Sequence, residues 1–157
     1  MPDFTHLHVH SHYSLLDGLG KIEPLISRAK ELGMGSLALT DHGVMYGTIE
    51  FVQAAIAQGI KPIVGVEAYL APNGHLNKRG KIDAQPRHLT LLARNNTGYQ
   101  NLVALTTVAH LEGYYYKPRI DYDLLTKHHE GLIVLSGCLN GDISRAILEK
   151  RPKDAER

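Results

Sequence analysis

Short apolar, β-rich runs alternate with stretches of helical spacing along almost the whole chain, and this order constrains the fold more than any other feature. Residues 4–10 (FTHLHVH) alternate and read as a strand. Residues 21–32 read as a helix, with Pro24 tolerated in its early turn and Gly33 and Gly35 closing it. Residues 36–40 are a short strand, about 45–58 a helix stopping at Gly59, 61–70 a third strand, and 88–94 a fourth. A helical pattern follows over 97–111, a fifth strand over 132–136 and a last helix from 143 to 149. Strands that alternate with helices predict an α/β protein: a parallel sheet with helices outside, open or closed into a barrel. Residues 71–87 interrupt this order as an irregular insertion carrying Lys78, Arg79, Lys81 and Arg87.

The 157 residues suit one domain, and 43% hydrophobic content can build a core without disulfides. A dominant disordered state is excluded. No apolar run approaches the ~18 residues of a membrane helix, and the first residues lack the basic-then-apolar order of a signal peptide. One cysteine forms no internal disulfide, which points to a reducing cytoplasm. With 17 Lys+Arg against 16 Asp+Glu, no global charge draws the chain to nucleic acid, so any such contact must be local. The basic loop over 78–87 is the candidate for it, with a solvated loop as the alternative.

Histidine is the outlier: four of ten lie within residues 6–12. On a strand, His6, His8 and His10 share a face, opposite Leu7 and Val9. Imidazoles crowded on one face repel when protonated, and a metal ion explains their company. Further candidate ligands stand at strand ends. Asp41 and His42 close the second strand, Glu67 sits among apolar residues of the third, His88 opens the fourth, and Cys138 follows the fifth. A lone carboxylate such as Glu67 among apolar neighbours needs a partner or a metal. In βα folds such groups converge at the C-terminal rim of the sheet. Taken alone, Cys138 reads as a buried inert thiol and Asp17 as a turn cap. His75, His110, His128 and His129 read as solvated. So many N, O and S donors exceed one structural zinc and suit two or more metals acting on a phosphate ester.

HLHVHSHYS (6–14), TDHG (40–43), His88 and Cys138 together resemble the polymerase-and-histidinol-phosphatase (PHP) family of metal-dependent phosphoesterases. SLLDG (14–18), GIKPIVGVEAY (59–69), HLTLLARNNTGYQNL (88–102), KPRID (117–121) and EGLIVLSGCLNGDI (130–143) narrow the likeness to the PHP domains of bacterial DNA polymerase III alpha subunits. The resemblance implies a distorted (βα)7 barrel, of which about five strands are present, as one PHP domain over 1–157 that lacks its C-terminal part. It implies a ligand set of His8, His10, Asp17, His42, Glu67, His88 and Cys138, with His8, His10, Glu67 and His88 carrying the catalysis. It implies two or three divalent metals (Zn, Mn or Fe, with Mg possible) and, for the complete domain, 3′→5′ exonuclease action in DNA replication; the family's last ligands, an Asp and a His in a later strand, have no counterpart in this sequence. DNA, the remaining polymerase domains and replisome subunits are the implied partners, with no membrane. The competing readings are a small-molecule phosphatase and a metal-stabilised scaffold without activity.

Overall fold

The computed structural model describes residues 4–15 and 17–156. The elements run in the order α1 (Ile22–Glu31), β1 (Ser36–Leu39), α2 (Thr48–Gln58), β2 (Lys61–Leu70), β3 (Arg87–Ala93), α3 (Asn96–Leu111), β4 (Arg119–Ile120), α4 (Tyr122–Lys127), β5 (Leu132–Leu135), α5 (Asp142–Leu148) and α6 (Pro152–Ala155). The boundaries follow local chemistry. Gly59 ends α2 at φ 75°, a conformation open to glycine without steric penalty. Asn95 and Asp121 cap α3 and α4 by accepting the backbone N–H groups of Gly98 and Leu124.

The five strands form one mixed sheet of order β1-β2-β3-β5, with β4 also pairing to β2. This corrects the expectation of a parallel sheet. β1–β2 and β2–β4 are parallel, but β2–β3 and β3–β5 are antiparallel. The cause lies in the insertion. A parallel return needs a crossover, usually a helix, and residues 71–86 supply only a 3-10 turn at Gly80–Ile82, so the chain folds straight back along β2.

A second correction concerns residues 4–10, which lie beside β1 without forming a regular strand. The Ala38 N–H donates to the His6 carbonyl at 3.0 Å and the Thr40 N–H to the Val9 carbonyl at 2.8 Å. The N-terminal segment therefore advances three residues while β1 advances two. The extra residue breaks the ladder as a bulge does. The Thr40 hydroxyl repairs the gap by accepting from the Val9 N–H and donating to the Val9 carbonyl.

Period-2 alternation in β2 separates core from site. Val66, Ala68 and Leu70 join Leu91, Leu102, Leu105, Ile120 and Leu124 in one apolar cluster between the sheet and α3. Glu67 and Tyr69 point to the opposite face. A second cluster packs Ile22, Ile26, Phe51 and Ala55 of α1 and α2 against Leu37 and Leu39 of β1. Burying each large aliphatic side chain contributes about 1.5–3 kcal/mol, so these two layers hold the strand ends in place. Among the described residues no helix is long and apolar enough to cross a membrane.

Candidate metal centre

Glu67 stands at the middle of the centre, 1% exposed. Its backbone is bridged to His42, since the Glu67 N–H donates to the Asp41 carbonyl and the Gly43 N–H to the Glu67 carbonyl. β3 lies on its other side, with Glu67 opposite Thr90 and Tyr69 opposite His88. Because β3 runs antiparallel, the start of that strand lies at the same rim as the end of β1. His88 reaches the site for that reason, and β5, antiparallel to β3, delivers Cys138 from its C-terminal end.

Four imidazoles converge on the Glu67 carboxylate. His8 Nε2 lies 2.8 Å, His10 Nε2 2.7 Å and His42 Nδ1 3.3 Å from Oε2, and His88 Nδ1 lies 2.8 Å from Oε1. Asp17 Oδ2 closes the far side, 2.8 Å from His42 Nε2 and 3.4 Å from His10 Nδ1. Cys138 Sγ is 3.6 Å from His88 Nδ1, and the thiol is exposed rather than buried and inert. Three overlapping groups result: His8–His10–Glu67, His10–Asp17–His42 and His42–Glu67–His88. Within each, the potential ligand atoms lie within 4.8 Å of one another.

Hydrogen bonding alone leaves this arrangement unsatisfied. Oε2 faces three nitrogens with two lone pairs. His8 Nε2 and His10 Nε2 face each other at 3.2 Å, and the buried Nδ1 of His42 has no hydrogen-bond partner. Nitrogen and carboxylate donors aimed at common points fit divalent cations. Burial opposes the charge on Glu67, but hydrogen bonds from His10, His8 and His88 outweigh it and hold the carboxyl far below the usual carboxylate range. The hydrogen bond to Glu67 raises the His10 imidazole against its burial, whereas burial lowers that of His42. Burial, with the charges of Glu67 and Asp17, pushes the Tyr69 phenol up to about 12. Its ring stacks on His42 at 5.5 Å with an interplanar angle of 12°.

Asp41, a sequence candidate for a ligand, does other work. It is buried, and its carboxylate accepts from the Ser11 N–H at 2.6 Å, the Ser11 hydroxyl at 2.8 Å and the Ser14 hydroxyl at 3.2 Å. The Ser14 hydroxyl also accepts from the His42 N–H. This knot pins the turn that carries Asp17. Gly18 is required there, since a Cβ would lie 1.7 Å from the Ser11 carbonyl oxygen.

The bulge turns His6 out of the cluster. Its ring packs edge-on against Phe4 at 4.8 Å. His110, His128 and His129 also lie outside, although His110 and His128 are half-buried rather than solvated. His75 is a further correction: its Nδ1 lies 2.5 Å from Asp121 and its side chain is largely buried. Two of the loop cations have partners as well. Arg79 donates to Asp83, and Arg87 lies 3.2 Å from Asp142. The residue sequence reasoning missed is Arg119, wholly buried, with its guanidinium donating to the carbonyls of Gly113, Asp83, His75 and Asn77. Its trace in the sequence is its place in KPRID (117–121), a motif that carries the resemblance but does not by itself say that the guanidinium is buried.

Comparison with known proteins follows the same lines. The family model described as "PHP domain" matches residues 6–157. The DNA polymerase III subunit alpha of Borreliella burgdorferi is 52% identical over 154 residues, 98% of this chain and 13% of that protein. The DNA polymerase III subunit alpha of Thermus aquaticus is 50% identical over 157 residues, again 98% of this chain and 13% of the relative. The chain thus spans about an eighth of the length of these relatives. Among solved structures, an amidohydrolase from Chromobacterium violaceum superposes with TM-score 0.45 at 26% identity, covering 66% of this chain and 34% of that one.

Proposed function

The chain belongs to the PHP domain family, and on that premise we propose that residues 6–157 form a single metal-dependent phosphoesterase domain of a DNA polymerase III alpha subunit, acting on the 3′ end of DNA. The observation that carries this reading is the convergence of His8, His10, Asp17, His42 and His88 around Glu67 in three overlapping ligand groups. These residues, with Cys138, would hold two or three divalent ions. The imidazole–carboxylate mixture suits zinc, manganese or iron better than magnesium, and the thiol favours zinc. When bound, such ions supply a hydroxide at neutral pH and neutralise charge on the phosphate.

The chain's own residues do the remaining work. Glu67, kept ionised, fixes a negative charge at the centre, and His8, His10 and His88 are oriented by their hydrogen bonds to it. Asp41, acting through Ser14, and the stacked ring of Tyr69 set the position of His42. In the reaction a water oxygen bonds to phosphorus and the bond from phosphorus to the 3′ oxygen of the preceding nucleotide breaks. That oxygen takes up a proton and a nucleoside monophosphate leaves. The names of the relatives support DNA and the other polymerase domains as partners.

The test is release of nucleotide from a 3′-labelled oligonucleotide with added Mn²⁺ or Zn²⁺, beside hydrolysis of a small phosphate monoester. A His10→Ala variant controls for contaminating nuclease. His10-dependent release from DNA is the expected result. Turnover of the monoester alone would make the chain a small-molecule phosphatase, and bound metal without turnover of either would make it a scaffold.

A further inference from the structure

Five of the eight tyrosines line one pocket of about 280 Å³: Tyr13, Tyr46, Tyr69, Tyr114 and Tyr116. The pocket begins at Asp17 and His42, two of the candidate ligands, and runs away from the centre past Lys117 and His110. Its size is close to the lower end of the ~300–1,000 Å³ usual for ligand pockets, which suits one small flat group. Three of these residues are largely exposed: Tyr46 is 64%, Tyr114 53% and Tyr116 70% exposed. The core does not need them. Tyr46, His110 and Tyr114 lie in a row of mutually tilted rings with centroids 6.4 and 6.5 Å apart. Tyr116 is held at φ 58°, uncommon for a residue with a Cβ, beside a bridge between Tyr115 and Lys117. Strain of this kind gathers where a side chain must be presented in one direction. The Lys117 ammonium stands 5.3 Å over the Tyr69 ring, which also stacks on His42 and meets His88 edge-on. Exposed aromatic residues and a cation therefore share one pocket with two of the candidate ligands. Proteins that hold single-stranded nucleic acid combine these parts, with rings to stack bases and a cation to meet the backbone.

We propose that this pocket is a nucleobase subsite, in which Tyr46, Tyr114 and Tyr116 stack the terminal base of a single-stranded nucleic acid while Lys117 meets the phosphate next to His42. The inference rests on the phosphoesterase reading of the centre and names how its substrate is held. Stacking tolerates any base, so the subsite selects an unpaired end over a paired one without reading sequence.

The experiment measures binding in chelator, so that it does not depend on the metal centre. Fluorescein-labelled oligothymidylate and an abasic oligomer of the same length and charge are titrated into the 157-residue chain by anisotropy at low salt. The parent chain binds the base-bearing strand on the order of tenfold more tightly or better. In the Tyr114→Ala/Tyr116→Ala variant that preference falls below about threefold, while binding of the abasic strand is unchanged. Equal affinity of the parent for the two strands overturns the subsite even if the variant fails to fold, and so does an undiminished preference in a folded variant. Failure of the phosphoesterase reading would be seen separately, as absence of bound metal and of hydrolysis in a chain that still prefers bases.

Discussion

Replacing Arg119 by methionine tests how the insertion between β2 and β3 is held. The side chain has no exposed surface and no carboxylate partner. Four of its five N–H donors are used on main-chain carbonyls: Nε donates to Gly113, Nη1 to Asp83 and Nη2 to both His75 and Asn77. Burial disfavours the charge and lowers the guanidinium's proton affinity, opposed by the charge of Asp83. Methionine fills similar space, so the loss is mainly polar. His75 and Asn77 lie in the outer loop, and their carbonyls can rehydrate. The Gly113 and Asp83 carbonyls face the buried stem. Two unsatisfied groups at about 1–3 kcal/mol each suggest a loss of ~2–6 kcal/mol. For a chain of this length 1 kcal/mol shifts Tm by roughly 2–4 °C, so a fall of about 10 °C is expected by differential scanning calorimetry. Hydrogen exchange should localise the loosening to residues 73–84. Arg119→Lys, with a charge but only three donors, should fall between. A Tm within about 2 °C of the parent for Arg119→Met would refute the reasoning and mean that the loop is held by something other than this guanidinium.

Metal stabilisation should depend on pH with a definite sign. Ligating imidazoles must be neutral, against an ordinary value near ~6.5. Chelator should therefore lower Tm clearly at pH 8 and less at pH 5.5. In the chelated chain the raised His10 works the other way, stabilising below ~6.5 and losing that stability as pH rises through its folded value; parallel curves with and without chelator would contradict this. His8→Ala and His10→Ala should each lower bound metal by elemental analysis, whereas His75→Ala should keep its metal and lose only stability through Asp121; equal metal in all three would overturn the ligand assignment. Arg79 and Arg87 are engaged with Asp83 and Asp142, so among the described residues the loop charges without an ion-pair partner are Lys78 and Lys81. Their reversal to Glu should lower the slope of log affinity against log salt for DNA by roughly two, and an unchanged slope would favour a solvated loop.

Helix ends were legible because their signals are local. Gly33, Gly59 and the patterns over 21–32 and 97–111 mark α1, α2 and α3 within one to three residues. β4 and α4 were not, since two and six residues are too short to show a period. The direction of β3 was also hidden. Nothing in RHLTLLA says whether the chain crosses over or folds back; the irregular insertion before it was legible, but its consequence for strand direction shows only in the pairing of β3 with β2. Asp41 and His42 are neighbours in the chain with different tasks, and only their partners separate them: Ser11 and Ser14 for the one, Asp17 and Glu67 for the other.

The chemistry of the candidate donors belonged to the sequence. Imidazole, carboxylate and thiol keep their donor chemistry in any fold, and an acidic residue such as Glu67 amid GV and AY has no place in an apolar strand without a partner. What tertiary structure alone decided is which donors meet. A single extra residue beside β1 sent His6 to Phe4 and left His8 and His10 at Glu67, and an antiparallel β3 brought His88 and Cys138 to the same rim. The physical reason is that register and strand direction depend on hydrogen bonds between segments distant in the chain, such as Val9 with Thr40 or Glu67 with Asp41. No local preference of residues 6–10 or 87–93 contains those bonds.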